Sequence, residues 1–210
     1  EGLADEEPAE GMLEGARQLF FASSFPLLML VAGLGQASHG MLYTSSSLHW
    51  TALGFNSFDI GLFWVIAVSA EVALLAYSNA LLNAFGPSRL LLIGLAGGVL
   101  RWVTMASFTS FTMMMIGQSL HMLSFAAAHL GTMHFIRRMA PTQLRNRAQG
   151  LYSALSGGIL MSSTAWLSGK LYADFSGQAY YAMGLVSLAA YIAAVALIKL
   201  NPRVREAGQA

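Results

Sequence analysis

The sequence predicts an all-α membrane protein with six transmembrane helices, and its composition, its apolar stretches and the positions of its basic residues lead to this prediction. Of the 210 residues, 10% are charged, against about 25% in soluble domains, and 56% are hydrophobic. Six apolar stretches are each long enough to cross about 30 Å of hydrocarbon at a rise of about 1.5 Å per residue. The lipid bilayer is therefore the expected surrounding of the chain. The absence of cysteine excludes disulfide frameworks, thiol nucleophiles and cysteine metal sites.

The first 16 residues differ in composition from the rest. Six of the ten acidic residues lie in the first 14 positions, which also contain Pro8. Such a segment is typical of disordered chain, and it lacks an initiator Met and the pattern of a signal peptide. We interpret residues 1–16 as the end of a central cytoplasmic loop, residues 17–200 as the transmembrane domain and residues 201–210 as a cytoplasmic tail.

Short polar or glycine- and proline-containing turns separate the predicted spans. Asn56 and Asp59 are expected to cap the second span, Gly86-Pro87 to turn into the third, and Pro141 to break the chain after the fourth. The spans are placed at about 19–47, 58–83, 89–108, 111–138, 148–171 and 179–200. These connections leave no room for a folded soluble domain.

The basic residues predict the topology. Nine of the eleven Lys and Arg residues fall at the start of the chain, in the second–third and fourth–fifth connections, and in the tail. These segments share one side of the membrane if every span crosses, whereas only Lys170 lies on the other side. By the positive-inside rule both termini are expected to be cytoplasmic.

Two charges of opposite sign lie inside predicted spans. Glu71 and Arg101 are each twelve residues from the cytoplasmic end of their span, or roughly 18 Å into the bilayer. A charge at this depth costs several kcal/mol, so such residues indicate a functional site. We expect an ion pair between adjacent antiparallel helices, with Gly94, Gly97 and Gly98 allowing close approach. The alternative is a buried pair that only fixes the helix register.

Polar side chains recur at helical spacing on four of the predicted spans, which favours a lined cavity over lipid contact. These stripes comprise Gln36, His39, Tyr43 and Ser47 on the first span, Trp64, Glu71 and Ser78 on the second, Gln118, His121, Phe125, His129 and Thr132 on the fourth, and Gln149, Tyr152, Ser156 and Ser163 on the fifth. The last span has only Ser187 and Tyr191 as polar interruptions, and it is expected to be peripheral.

The order of these motifs resembles a known family. The segments SHGMLYTSSSLHW, IGLFWVIAVSAEVALLAYSNALL, LRWVTMA, GQSLHMLSFAAAHLGTMHFI and AQGLYSALSGG are similar to the carboxy-terminal six-helix half of a major facilitator superfamily transporter. They are most similar to the phenylpropionate permease-like proton symporters related to lactose permease. The resemblance implies helices seven to twelve of twelve, and a missing amino-terminal six-helix half as the partner that closes a midplane cavity.

The resemblance also implies roles for single residues. Glu71, Arg101 and His121 match the acidic, arginine and histidine positions of a network that, in lactose permease-like proteins, couples sugar binding to a proton. The carboxylate that holds this proton one turn after the histidine is replaced by Ser124. Glu71, His121 or His129 then remains as the proton carrier.

A carboxylate substrate is an alternative to a sugar, because a guanidinium can hold a carboxylate through two hydrogen bonds. Arg101 would supply the guanidinium, and Trp64, Tyr43 and Phe125 the aromatic contacts.

The predicted function is proton-coupled symport of a small organic solute, such as an aromatic carboxylate, across a bacterial inner membrane. The residues expected to bind substrate or couple protons are Glu71, Arg101, His121, Gln118, His129, His39, Tyr43, Trp64, Gln149 and Tyr152. A sugar or nucleoside proton symporter, or a non-transporting membrane subunit or fragment, are the alternatives. No cofactor, metal site or nucleic acid partner is predicted.

Two enzyme classes with membrane helices fit the sequence poorly. An intramembrane serine protease would need a histidine after Ser156, and none follows it in the chain. A haem-binding bundle would have to use His121 and His129, which are eight residues apart on one helix. We therefore predict that the protein is not an enzyme.

Overall fold

The computed structural model of the protein describes residue 17 and residues 24–200, without the side chain of Leu200. Most of these residues are helical, and none of them lies in a β-strand. The all-α prediction is therefore confirmed for the part that the structure describes. The predicted leader at 1–16 and the predicted tail at 201–210 lie outside the described residues.

Nine α-helices follow one another along the described chain, together with two π-helical and two 3-10 segments. The α-helices are α1 Phe25–Ala37, α2 Gly40–Ala52, α3 Ser57–Ala76, α4 Ser78–Ser107, α5 Phe111–Ser119, α6 Ala128–Met139, α7 Arg145–Ser153, α8 Met161–Phe175 and α9 Tyr180–Leu200. The π-helical segments are π1 Met122–Ala127 and π2 Ala154–Leu160, and the 3-10 turns are Thr142–Leu144 and Ser176–Ala179.

Four stretches of the described chain are long and apolar enough to cross a membrane. They are Phe25–Ala52, Ser57–Ala76, Ser78–Ser107 and Thr142–Lys199. The predicted count of six is not reached for two reasons. In the predicted fourth span α5 ends at Ser119, and the rest of the span carries three histidines and two arginines; this span is absent from the four. The predicted fifth and sixth spans lie together in the last stretch of 58 residues.

The last stretch consists of two helices that lie side by side. Ser176, directly after α8, has φ 51° and ψ −134°, which ends the helix. On either side of this turn Ser168 Oγ lies 3.9 Å from Met183 Sδ. The chain therefore reverses between α8 and α9.

The predicted boundaries of the second and third spans have clear local causes. The Asn56 side chain accepts hydrogen bonds from the backbone N–H groups of Phe58 and Asp59, and the Asp59 carboxylate accepts one from Asn56 N–H. This capping box starts α3 as predicted. Inside α4, Gly86 has φ 71° and ψ 161° before Pro87, so the predicted turn is a sharp bend in the helix.

Helix α4 packs centrally, with α6, π1 and α9 against it. A Cβ added to Gly94 would lie 2.5 Å from the Ala128 backbone nitrogen, and one added to Gly131 would lie 2.9 Å from Leu91 N. The backbones of α4 and α6 therefore touch, as small residues allow in membrane helices.

The last helix is not wholly peripheral. Helix α9 buries Ser187, Ala190 and Ala194 on the face that packs against α4 and α1, whereas Leu185 and Ile192 are exposed on the other face. The expectation of a peripheral helix therefore holds for only one of its faces.

Candidate functional site

Arg101 is the centre of a buried polar cluster. Its side chain is 0% exposed, and it donates hydrogen bonds from Nη1 to His121 Nδ1 at 2.7 Å and to Ser124 Oγ at 3.1 Å. Its Nη2 donates to Oε1 of Gln118, which is also fully buried. Three of the predicted site residues, Arg101, His121 and Gln118, are thus in direct contact.

The predicted fourth span supplies Gln118 from α5, His121 directly before π1, and Ser124 and Phe125 from π1 itself. A π-helix closes its hydrogen bonds between residues five apart, so residues four apart nearly overlie one another. The His121 and Phe125 rings are stacked with centroids 5.0 Å apart, and the Phe125 and His129 rings are stacked at 6.2 Å. The three ring-bearing residues of the stripe predicted for one helical face therefore form a continuous column of rings, and this column passes through a π-helix that the sequence did not predict.

Glu71 reaches this cluster through His121. Its Oε2 lies 3.3 Å from His121 Nε2, and its side chain is 22% exposed. Among the described residues no ion pair joins Glu71 directly to Arg101, so the expected direct pair is wrong. The reason is packing: α3 lies against α5 and π1 rather than against α4, although α3 and α4 are consecutive in the chain.

The hydrogen bonds fix the tautomer of His121. A guanidinium can only donate, so Nδ1 must accept from Arg101. The proton of the neutral ring then lies on Nε2, which donates to the Glu71 carboxylate. His121 is a neutral connection between a buried cation and a partly exposed anion.

The tautomer of His39 follows in the same way. Its Nδ1 lies 3.1 Å from the backbone carbonyl oxygen of Gln36, which can only accept, so Nδ1 carries the proton. Its Nε2 lies 3.2 Å from Ser124 Oγ and therefore accepts from the Ser124 hydroxyl. Ser124 thus accepts from Arg101 and donates to His39.

Two donors in the cluster have no partner. Arg101 Nε and Gln118 Nε2 are buried and make no hydrogen bond. Buried polar groups are normally paired, because leaving one unpaired costs about 1–3 kcal/mol. The cluster therefore has an excess of donors and could accept a ligand that supplies oxygen acceptors.

An aromatic surface borders the cluster. Tyr43 is stacked on Trp64 with ring centroids 6.3 Å apart and an interplanar angle of 10°, and it is also stacked on His39 at 6.3 Å. Trp64 Nε1 donates to Ser47 Oγ at 3.2 Å, which orients the indole. Because Tyr43 is 51% exposed, this surface is open to a flat ring.

His129 and Tyr152 form a second, smaller group at the far end of the ring column. His129 Nδ1 lies 3.4 Å from the Tyr152 hydroxyl. Gln149 is partly buried on α7, and no hydrogen bond among the described residues joins it to either group. The structure therefore brings together nine of the ten predicted site residues and leaves Gln149 apart.

Sequence reasoning left two contributors to the cluster out of the predicted site. Ser124 bridges Arg101 and His39, and its position one turn after His121 was the available signal. Trp102 packs with its ring centroid 4.6 Å from Arg101 Cζ, and its indole N–H donates to Ser38 Oγ at 3.2 Å. No pattern in the sequence distinguished this tryptophan from an ordinary core residue.

Comparison with known proteins places the chain in a family. Residues 5–183 match the MFS_1 like family. A probable 3-phenylpropionic acid transporter of Escherichia coli (strain K12) is 31% identical over 155 residues, which cover 74% of this chain and 41% of that protein. A maltose permease of Geobacillus stearothermophilus is 25% identical over 198 residues, which cover 93% of this chain and 49% of that protein.

These matches confirm the predicted resemblance. The chain spans less than half the length of each of these two relatives. Both relatives carry transporter names, and the four apolar stretches are long enough to cross a bilayer. The chain belongs to the MFS_1 like family, and it is therefore a multi-pass membrane protein of the major facilitator superfamily of transporters rather than an enzyme.

Proposed function

We propose that this chain is the carboxy-terminal six-helix half of a proton-coupled symporter for a small organic solute, specifically an aromatic carboxylate. The observation that carries the proposal is the link from buried Arg101 through His121 to the partly exposed Glu71. The Glu71 carboxylate reaches water and can therefore exchange a proton. Arg101 keeps its positive charge, so it favours the ionised form of Glu71 more strongly when the two side chains are closer together.

Six crossings account best for the helices. Phe111–Met139 is long enough for a span of about 40 Å if α5, π1 and α6 form one continuous helix. Its polar residues face the Arg101 cluster rather than lipid. The stretch Thr142–Lys199 crosses twice because the chain reverses at Ser176. The six spans then correspond to helices seven to twelve of the family, with both termini in the cytoplasm of a bacterial cell.

The partner of this domain is a second six-helix half. Tyr43, Trp64 and Glu71 are partly or largely exposed although they are joined to a buried cluster, which suits side chains that face a cavity closed by another domain. In this arrangement the cavity lies at the bilayer midplane, and protons and solute are the small-molecule partners.

The aromatic surface and the donors of the cluster favour an aromatic carboxylate. A phenyl ring would stack on Tyr43 and Trp64, while its carboxylate would meet donors supplied by Arg101 and Gln118. The relative named as a 3-phenylpropionic acid transporter supports this class. A sugar symporter is the second candidate, because the other relative is named as a maltose permease and aromatic surfaces also stack on sugar rings.

The test uses membrane vesicles that contain this chain co-expressed with the amino-terminal half of the 3-phenylpropionic acid transporter relative. An imposed proton gradient should drive accumulation of labelled 3-phenylpropionate but not of maltose. Glu71→Gln, which mimics the protonated acid, should retain solute exchange and lose gradient-driven accumulation. Arg101→Ala should lose both activities.

His121→Ala is the contrast variant, with equal membrane expression verified for each protein. If His121 only connects Arg101 to Glu71, its replacement by alanine should weaken the coupling of transport to protons without abolishing solute exchange. Normal gradient-driven accumulation by Glu71→Gln would exclude Glu71 as the proton carrier and transfer that role to His121 or His129. Accumulation of maltose in place of 3-phenylpropionate would support the sugar symporter.

A further inference from the structure

The first predicted span is divided into two helices, α1 and α2, by a turn of two residues, Ser38 and His39. We call these two residues the joint. Ser38 Oγ accepts a hydrogen bond from the indole N–H of Trp102. His39 Nε2 accepts one from the Ser124 hydroxyl. Because Trp102 and Ser124 both contact Arg101, the position of the joint affects the geometry of the cluster.

The carbonyl groups that end α1 all have donors. The last four carbonyls of a helix lack partners within that helix. The joint supplies the donors for three of them, Leu34 O, Gly35 O and Gln36 O. The fourth, Ala37 O, accepts from the hydroxyl of Thr164 on α8 at 2.7 Å. A side chain of a neighbouring helix thus completes the end of α1, as a break in a membrane helix requires.

The backbones of α2 and α8 touch beside this hydrogen bond. Gly40 directly follows the joint, and a Cβ added to it would lie 2.8 Å from the Ala165 backbone nitrogen and 2.8 Å from the Thr164 carbonyl carbon. Any larger residue would force the two helices apart, because both of these atoms belong to the backbone. The glycine therefore allows the close approach that brings the Thr164 hydroxyl within reach of α1.

Thr164 has further acceptors for the same hydrogen. A hydroxyl carries one hydrogen, and the Thr164 Oγ1 atom also lies 3.0 Å from Leu160 O and 3.1 Å from Met161 O of its own helix. Threonine in a helix commonly donates to the carbonyl three or four residues before it. If the joint moves away from α8, the hydroxyl keeps a hydrogen bond by turning to Leu160 O. Separation then leaves only Ala37 O to find another donor.

We propose that Thr164 is a positioning residue and that its hydroxyl is a two-position latch for the joint. In the first position the hydroxyl donates to Ala37 O and holds the joint against α8. In the second position it donates to Leu160 O, and the joint is released. This inference goes beyond the proposed function, because it concerns what fixes the joint and applies to any solute, with or without proton coupling.

The test measures the distance between α2 and α8 in the assembly of the transport assay, made with a cysteine-free amino-terminal half and placed in lipid nanodiscs. The chain has no cysteine, so Leu48→Cys and Leu167→Cys provide two specific sites for spin labels, both at exposed side chains. Double electron–electron resonance then gives the ratio of released to joined molecules. Thr164→Val keeps the shape of the side chain without its hydroxyl, and it should raise this ratio by about two- to tenfold.

Matched variants separate the hydroxyl from general packing. Thr164→Ser keeps the hydroxyl and should retain the wild-type ratio. Thr51→Val removes a hydroxyl that donates within α2, to Ser47 O at 2.9 Å, and should leave the ratio unchanged. Gly40→Ala should release the joint by itself, because its Cβ separates the two backbones. Adding Thr164→Val to Gly40→Ala should have no further effect, because the hydroxyl then already donates to Leu160 O.

Three results would overturn the latch. The first is an equal ratio for wild type and Thr164→Val, and the second is a shift of the same size in Thr164→Ser, which keeps the hydroxyl. The third is a wild-type distance distribution in Gly40→Ala, which tests the contact even if Thr164→Val fails to assemble. None of these results depends on 3-phenylpropionate, so failure of the latch leaves the proposed function standing.

Discussion

The contact between α4 and α6 gives the sharpest test of the packing that holds the cluster together. At Gly94 an added Cβ would lie 2.5 Å from Ala128 N, 2.7 Å from Ala128 Cα and 2.8 Å from Ala128 Cβ. Two of these atoms belong to the backbone, so no rotamer change relieves the overlap. Gly94→Ala therefore forces the two helices apart.

The size of the effect follows from these distances. Ordinary contact begins at 3.4 Å, so the Ala128 backbone must retreat by about 0.9 Å. Carried along the helix to His121, this shift would lengthen the 2.7 Å bond to Arg101 to about 3.6 Å, beyond hydrogen-bonding distance. Overpacking costs about 1–3 kcal/mol, and weakening a hydrogen bond to a charged group costs about 1.5–3 kcal/mol. We expect a total loss of about 2.5–6 kcal/mol in the free energy of unfolding.

The assay is thermal unfolding of the purified protein in one detergent, followed by tryptophan emission. Gly94→Ala should lower the unfolding temperature by on the order of 5–20 °C. Gly169→Ala is the matched control, because a Cβ at this position in α8 meets nothing within 4 Å. It should leave stability unchanged or raise it by up to about 1 kcal/mol through better helix propensity. Equal unfolding temperatures for Gly94→Ala and wild type would show that α4 and α6 do not touch at this level.

Three further predictions concern the cluster, the aromatic surface and the topology. Ser124→Ala should destabilise the protein by about 2–4 kcal/mol in the same thermal assay, because it leaves a donor on Arg101 and an acceptor on His39 buried without partners. An unchanged unfolding temperature would contradict the bridging role of Ser124. Trp64→Ala should weaken binding of 3-phenylpropionate about tenfold, because one of the two stacked rings is lost. Trp166→Ala, on an exposed face of α8, is the control. Equal effects of the two variants would refute binding of the substrate ring at Tyr43 and Trp64. A tag inserted at Asn56 should be labelled from outside the cell while tags at residues 1 and 210 should be labelled only after permeabilisation, and opposite accessibility of the two termini would contradict six crossings.

Local sequence signals were reliable where the cause of a structure is itself local. The Asn56 and Asp59 pair predicted the start of α3, because a capping box needs only neighbouring backbone groups. Gly86-Pro87 likewise predicted a bend, because a positive φ favours glycine and proline lacks the N–H of a helix interior. The two π-helices had no such local signal, since an i→i+5 bond is stabilised by the packing around it.

The sequence by itself determined the class of the protein and the side chains available to its site. A bilayer satisfies no backbone hydrogen bond, so long apolar stretches must be helical, and charges placed inside them cannot be accidental. Only the tertiary structure decided how those charges meet. Spacing placed Glu71 and Arg101 at one depth, but the order of helices in space put His121 between them. Helices that are consecutive in the chain need not be in contact in the bundle, because each helix packs where its small and polar faces fit. For this reason Glu71 and Arg101 do not form the expected ion pair, and the neutral imidazole of His121 connects them instead.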